Sequence, residues 1–122
     1  VLTVKVADCV PVYLYEYRKK ILGLVHSGWR GTVSGIITKT IELMETKGAN
    51  VHNIMAYLGP SIGICCYEVN EQVAVQFNNN AKKKLNSGKW KVGLNWPGQF
   101  PQDHRLRRYS VKQDAKAQFC WR

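Results

Sequence analysis

Two side chains in this sequence are best suited to chemistry: the thiol of Cys9, in Ala7-Asp8-Cys9, and the imidazole of His26. A thiolate and an imidazole are ligand types of a zinc site, and equally the nucleophile and base of a Cys/His hydrolase. The interval between them is no motif in itself, so a structural cysteine and an unrelated strand-end histidine remain a third reading. What would unite them is a sheet. If Cys9 and His26 end neighbouring strands, both emerge at one edge.

His26 also opens His26-Ser27-Gly28-Trp29-Arg30-Gly31-Thr32, a glycine-punctuated turn leading into a helix. Free N–H groups at a helix start favour an anion, and Arg30 adds a two-pronged donor beside Gly31. The bland alternative is a glycine turn with an exposed arginine. A third segment, Gly59-Pro60-Ser61-Ile62-Gly63-Ile64-Cys65-Cys66-Tyr67-Glu68-Val69, leaves a strand through glycine and proline and could line a pocket. As a phosphate cradle it is weak, because it lacks the Lys-Ser/Thr ending of a P-loop. Cys65 and Cys66 are expected to be small buried residues. His52 and His104 stand in polar surroundings and read as surface histidines.

The elements that must position these groups follow from periodicity. Residues 1–26 alternate as β-structure, with a hairpin from Val10 to Val25 turning at Arg18-Lys19-Lys20. The Val1–Val6 run has no initiator Met and no secretory leader, and reads as a strand entered midway, as if sequence preceded it. Trp29, Val33, Ile36, Ile37, Thr40, Ile41 and Met44 form one apolar helical stripe, which Gly48 should end in the left-handed conformation. Ile54 to Leu58 is a short buried strand, and Gly59 to Gly63 an irregular loop. A weaker helical pattern runs from Asn70 through Val73, Ala74, Phe77, Ala81 and Leu85, and a last strand falls within Gly88 to Leu94. After about residue 93 no period is legible. The division is thus a core over residues 1–92 and a divergent, irregular tail over residues 93–122.

The bulk properties fit one domain of 122 residues. No run approaches the roughly 20 apolar residues of a membrane-spanning helix, so no membrane partner is expected. The net charge of +10 arises from short, separated clusters rather than one stripe, which makes nucleic acid an unexpected partner. Four cysteines, two of them adjacent, do not suggest a disulfide scaffold; reduced thiols in a cytoplasmic protein are the simpler reading.

Taken in order, ADCVPV, HSGWRGT and LGPSIGICCYEV resemble the laccase-domain purine nucleoside phosphorylase family, the YfiH type, over about residues 1–92. The resemblance implies an α/β (α+β) sandwich, a mixed β-sheet with flanking helices, related to the catalytic domain of a deamidating bacterial toxin. It implies a zinc site of one Cys and two His, with Cys9 and His26 as ligands. The third ligand would lie in a Gln-Val-His-Gly segment upstream of residue 1. Phosphorolysis of adenosine, inosine, guanosine and methylthioadenosine is implied, with adenosine deamination. Purine nucleosides and phosphate are then the partners, and an oligomer is left open. Cys9, His26 and Arg30 become the catalytic set; Arg30, Gly31 and Ser61 become the phosphate or substrate contacts.

The same residues allow copper in place of zinc, and so a polyphenol oxidase. Laccase chemistry uses several copper centres, for which three histidines are few. A cysteine hydrolase built on Cys9 and His26 is another alternative, and a non-catalytic basic binding module a further one.

Overall fold

The computed structural model describes residues 1–94, together with the backbone of residues 111–113 and 118–119. It is a mixed α/β fold with small sheets and flanking helices, as the resemblance implies. The hairpin strands are β1 (Val10–Glu16) and β2 (Ile21–Ser27), joined through an exposed turn in which Lys20 takes φ 56°. From Val12 onward β1 alternates. Val10, Val12 and Leu14 enter the core, and Glu16 follows them inward on the same face, fully buried. A carboxylate there needs a donor. One oxygen of Glu16 accepts the backbone N–H of Lys19, so this side chain closes the hairpin turn from beneath.

β1 is the inner strand, flanked by β2 and by β3 (Ile54–Leu58), both antiparallel to it. Pro11 has no N–H to contribute, and the ladder with β3 starts one residue later at Val12. The Pro11 carbonyl instead accepts the N–H of Gly59 at 2.9 Å. β8 (Val111–Gln113) adds to β3 in parallel, making the sheet mixed.

The long apolar stripe forms two helices, not one. α1 (Trp29–Val33) stops at Ser34, and Gly35, at φ 69°, redirects the chain into α2 (Ile36–Thr46). The break turns Val33 out to solvent, while Ile37, Ile41 and Met44 pack inward. Met44 lies tightly on β2: a Cβ placed on Gly23 would come 2.8 Å from its sulfur. Gly48 ends the segment at φ 93°, as its position predicts.

Four further expectations are corrected. Val1–Val6 forms no strand, because extended backbone needs a hydrogen-bonded neighbour and none pairs with it among the described residues. The glycine-rich segment after β3 is not wholly irregular: β4 (Ser61–Ile62) pairs in parallel with β9 (Gln118–Phe119). Residues 111–113 and 118–119, read as irregular from sequence, are therefore extended and paired. The helical pattern from Asn70 shrinks to α3 (Glu71–Ala74), capped by the Asn70 side chain, which accepts the Val73 N–H at 3.0 Å. Beyond it the chain forms an antiparallel sheet in the order β5 (Glu68–Val69), β7 (Trp90–Val92), β6 (Lys82–Lys84). Three consecutive lysines cannot bury a helical face, but they suit an exposed edge strand. The strand expected within Gly88 to Leu94 is β7.

Candidate active site at the end of the hairpin

The β1–β2 register sets the geometry. Val10 lies opposite Ser27 and Pro11 opposite His26. Val25 and Ser27 are buried, so by alternation His26 projects from the outer face, where it is exposed. Cys9 immediately precedes β1, and its sulfur stands 3.0 Å from where a Gly28 Cβ would be. Gly28 is two residues after His26 in extended conformation, so its Cβ direction belongs to the His26 face. Cys9 thus packs against Gly28, two residues beyond His26 along the chain. Glycine at 28 is what leaves room for the sulfur.

Electrostatics extend the cluster. Partial burial, and then the charge of Asp8, push the Cys9 thiol above its ordinary value. Tyr67 is the residue that reading the sequence for nucleophiles and ligands missed. Burial raises its phenol most; the negative charges of Cys9 and Asp8 raise it further, and Arg30 opposes them. Tyr67 is therefore under the influence of Cys9, Asp8 and Arg30. The signal was present in the sequence, since Tyr67 lies within the third motif. It was overlooked because a tyrosine beside two cysteines draws less attention than they do. The loop carrying it is fixed by the Tyr67 N–H to the Gly63 carbonyl at 3.1 Å and the Val92 N–H to the Tyr67 carbonyl at 3.1 Å.

The remaining expected residues are placed as follows. Arg30 is exposed on α1 with its guanidinium 4.5 Å from the Trp29 ring centroid, a cation–π contact. α1 has only five residues, and its Gly28 cap contributes no side-chain hydrogen bond, so the dipole contribution expected there is small. Gly31 packs against Ile36, whose Cγ2 would lie 3.2 Å from an added Cβ, so its hydrogen serves packing. Ser27 and Thr32 exchange a hydroxyl hydrogen bond at 2.9 Å, tying β2 to α1. Ser61 is buried and, with Val6, Ala7, Asp8, Pro11, Tyr13, Pro60 and Ile62, lines a cleft of ≈ 350 Å³. The Ile62 N–H donates to the Asp8 carbonyl at 3.0 Å, joining this cleft to the segment that bears Cys9. The cleft and the Cys9 cluster meet at Asp8; Cys9, His26 and Arg30 do not line the cleft.

The cysteine expectation needs correction. Cys65 is exposed and Cys66 half-exposed, their sulfurs 3.3 Å apart, because the tight turn after Gly63 turns them outward. Cys9 and Cys65 carry free thiols. His52 is exposed, as expected, and its N–H donates to the Asn50 side chain; His104 lies outside the described residues.

The motifs agree with comparison to known proteins. The family model described as multi-copper polyphenol oxidoreductase laccase matches residues 1–120. The chain belongs to this laccase-type family. It is 39% identical over 79 residues to a purine nucleoside phosphorylase of Borreliella burgdorferi, covering 65% of this chain and 34% of that protein. An adenosine deaminase from an unknown prokaryotic organism is 43% identical over 77 residues, covering 63% of this chain and 29% of that protein. The crystal structure of the Bacillus licheniformis hypothetical protein YfiH superposes with a TM-score of 0.67 at 34% identity. That match covers 73% of this chain and 36% of the other. This chain spans about one third of the length of such relatives. It is of an enzyme family, and the laccase-type membership associates it with metal.

Cys9 and His26 are of the donor types that a zinc or copper ion accepts. Among the described residues no three His, Cys, Asp or Glu side chains come close enough to hold one ion. No helix among the described residues is long and apolar enough to cross a membrane.

Proposed function

We propose that this chain carries part of the catalytic site of a purine nucleoside phosphorylase with adenosine deaminase activity. In this reading Cys9 and His26 are two ligands of a zinc ion, and a further donor comes from outside the described residues. The observation that carries the reading is the Cys9 sulfur set against Gly28, at the end of the strand that bears His26, on a chain similar to purine nucleoside phosphorylases.

In phosphorolysis an oxygen of phosphate attacks C1′ of the ribose while the bond from C1′ to the purine nitrogen breaks. The bonding pair leaves with the purine, which takes up a proton. Arg30 holds the phosphate; its fork matches two phosphate oxygens, and stacking on Trp29 fixes the guanidinium plane. Tyr67 stays a neutral phenol at physiological pH and so keeps a proton to donate toward the departing base. The cleft beside Asp8 and Ser61, apolar over much of its lining, receives the flat purine or the sugar. Zinc, when bound, would activate water for the deamination of adenosine.

The cysteine-hydrolase alternative is disfavoured by Cys9 itself. A nucleophilic thiol is activated by a lowered pKa, whereas burial and Asp8 raise this one. The test of the phosphate role is a steady-state assay of inosine cleavage at varied phosphate. Arg30→Lys keeps the charge but loses the fork, and is expected to raise the phosphate KM about tenfold or more. An unchanged phosphate KM contradicts the assignment.

A further inference from the structure

The ≈ 350 Å³ cleft beside the hairpin end is lined by two unlike kinds of side chain. Pro11, Pro60 and Ile62 give it apolar walls and Tyr13 an aromatic one, while Ser61 and Asp8 are its polar lining. Pro11 and Tyr13 stand two residues apart on β1 and so share its outer face. The neighbouring strand and the residue after it brace the ring. The Tyr57 ring centroid lies 5.8 Å from that of Tyr13, and a Cβ on Gly59 would come 3.4 Å from the Tyr13 Cε2. Braced there, Tyr13 is still 44% exposed, so it keeps aromatic surface free at the cleft. Ser61 is 3% exposed, and no group among the described residues bonds its hydroxyl. A buried hydroxyl ordinarily has a partner, and a ligand in the cleft would supply the one that Ser61 lacks.

The lining decides which part of a nucleoside suits the cleft. A ribose carries several hydroxyls, and two polar side chains between apolar walls cannot satisfy them all. A purine instead offers flat faces to the tyrosine and proline rings, with its polar atoms confined to the edge. The volume agrees, since it lies near the small end of the range for ligand pockets. A serine hydroxyl both donates and accepts. By rotating, it serves a 6-oxo group as donor and a 6-amino group as acceptor.

We propose that this cleft is the purine subsite, with the base stacked on Tyr13 and its edge bonded by the Ser61 hydroxyl, so that 6-amino and 6-oxo purines are taken alike. The assignment rests on the proposed function for its nucleoside substrate. The affinity of the cleft for a free base, however, requires neither zinc, phosphate nor turnover.

Equilibrium dialysis of the 122-residue chain against labelled adenine, hypoxanthine and ribose, without zinc or phosphate, tests it. Both bases are expected to bind saturably and ribose not at all. The Tyr13 ring protons, identified in NMR spectra by their loss in Tyr13→Leu, should move upfield with either base. Tyr13→Leu should bind both bases about tenfold more weakly, the scale of base–aromatic stacking. Tyr13→Phe keeps the ring and should keep the affinity, which separates lost stacking from a disturbed fold. Ser61→Ala should weaken both bases to a similar degree. A chain that binds bases through Tyr13 yet leaves inosine uncleaved supports the subsite and contradicts the proposed function. Ribose binding as well as the bases do, or a Tyr13→Leu chain that binds them like the parent, overturns the assignment. So does a Ser61→Ala chain with unchanged affinity for either base.

Discussion

Cys9 and Cys65 are both free thiols, yet their surroundings differ in ways chemistry can read. Cys65 is exposed, whereas Cys9 is partly buried beside Asp8, which holds its thiol in the protonated form to higher pH. Since the thiolate is the reactive form, iodoacetamide should label Cys65 first at pH 8, with Cys9 labelling rising only as pH climbs above the ordinary thiol range. Peptide mass spectrometry across a pH series measures this, and Cys9 reacting as fast as Cys65 would contradict the environment described. Tyr67 offers a second check: if its hydroxyl assists the leaving base, Tyr67→Phe should lower kcat for inosine cleavage about 10²-fold with little change in KM. At this scale Cys9, His26 and Arg30 were legible because their residue types and motif order announce chemistry. Tyr67 was not, since its place beside Cys9 depends on how the turn after Gly63 folds back. Cys65 and Cys66 were misjudged for the same reason: a pair of small apolar-type residues reads as buried until the turn faces them outward.

Elements were legible where the side-chain period is strong and local. The hairpin, β3 and the end at Gly48 follow from alternation, from the helical stripe and from glycine chemistry. The split between α1 and α2 was hidden because an apolar stripe continues through Gly35, and only its positive φ reveals the turn. The short strands β4, β6, β8 and β9 were hidden too, since two or three residues carry no period and their pairing is with distant segments. Gly59, by contrast, is demanded by contact: a Cβ there would lie 2.7 Å from Pro11 Cγ and 3.4 Å from the Tyr13 ring. Proline cannot rotate away, so Gly59→Ala should destabilise the chain by about 1–3 kcal/mol in urea denaturation. Because Pro11 and Tyr13 line the cleft, the same change should also weaken nucleoside binding. Unaltered stability would show that the β1–β3 junction is looser than its geometry.

At the scale of the whole molecule, a fold and a family are in place, while among the described residues no three metal donors come together. Zinc binding is therefore expected to depend on both Cys9 and His26. Zinc titration against a chromophoric chelator measures this, and the binding should fall in Cys9→Ala and in His26→Ala. The central claim is that the hairpin end performs phosphorolysis of purine nucleosides. Product analysis after prolonged incubation of the purified chain with inosine, phosphate and zinc tests it most directly. The account predicts hypoxanthine and ribose 1-phosphate in equal amounts, dependent on phosphate and lost in Cys9→Ala. Free ribose in place of ribose 1-phosphate, or a yield unchanged by Cys9→Ala, would contradict it.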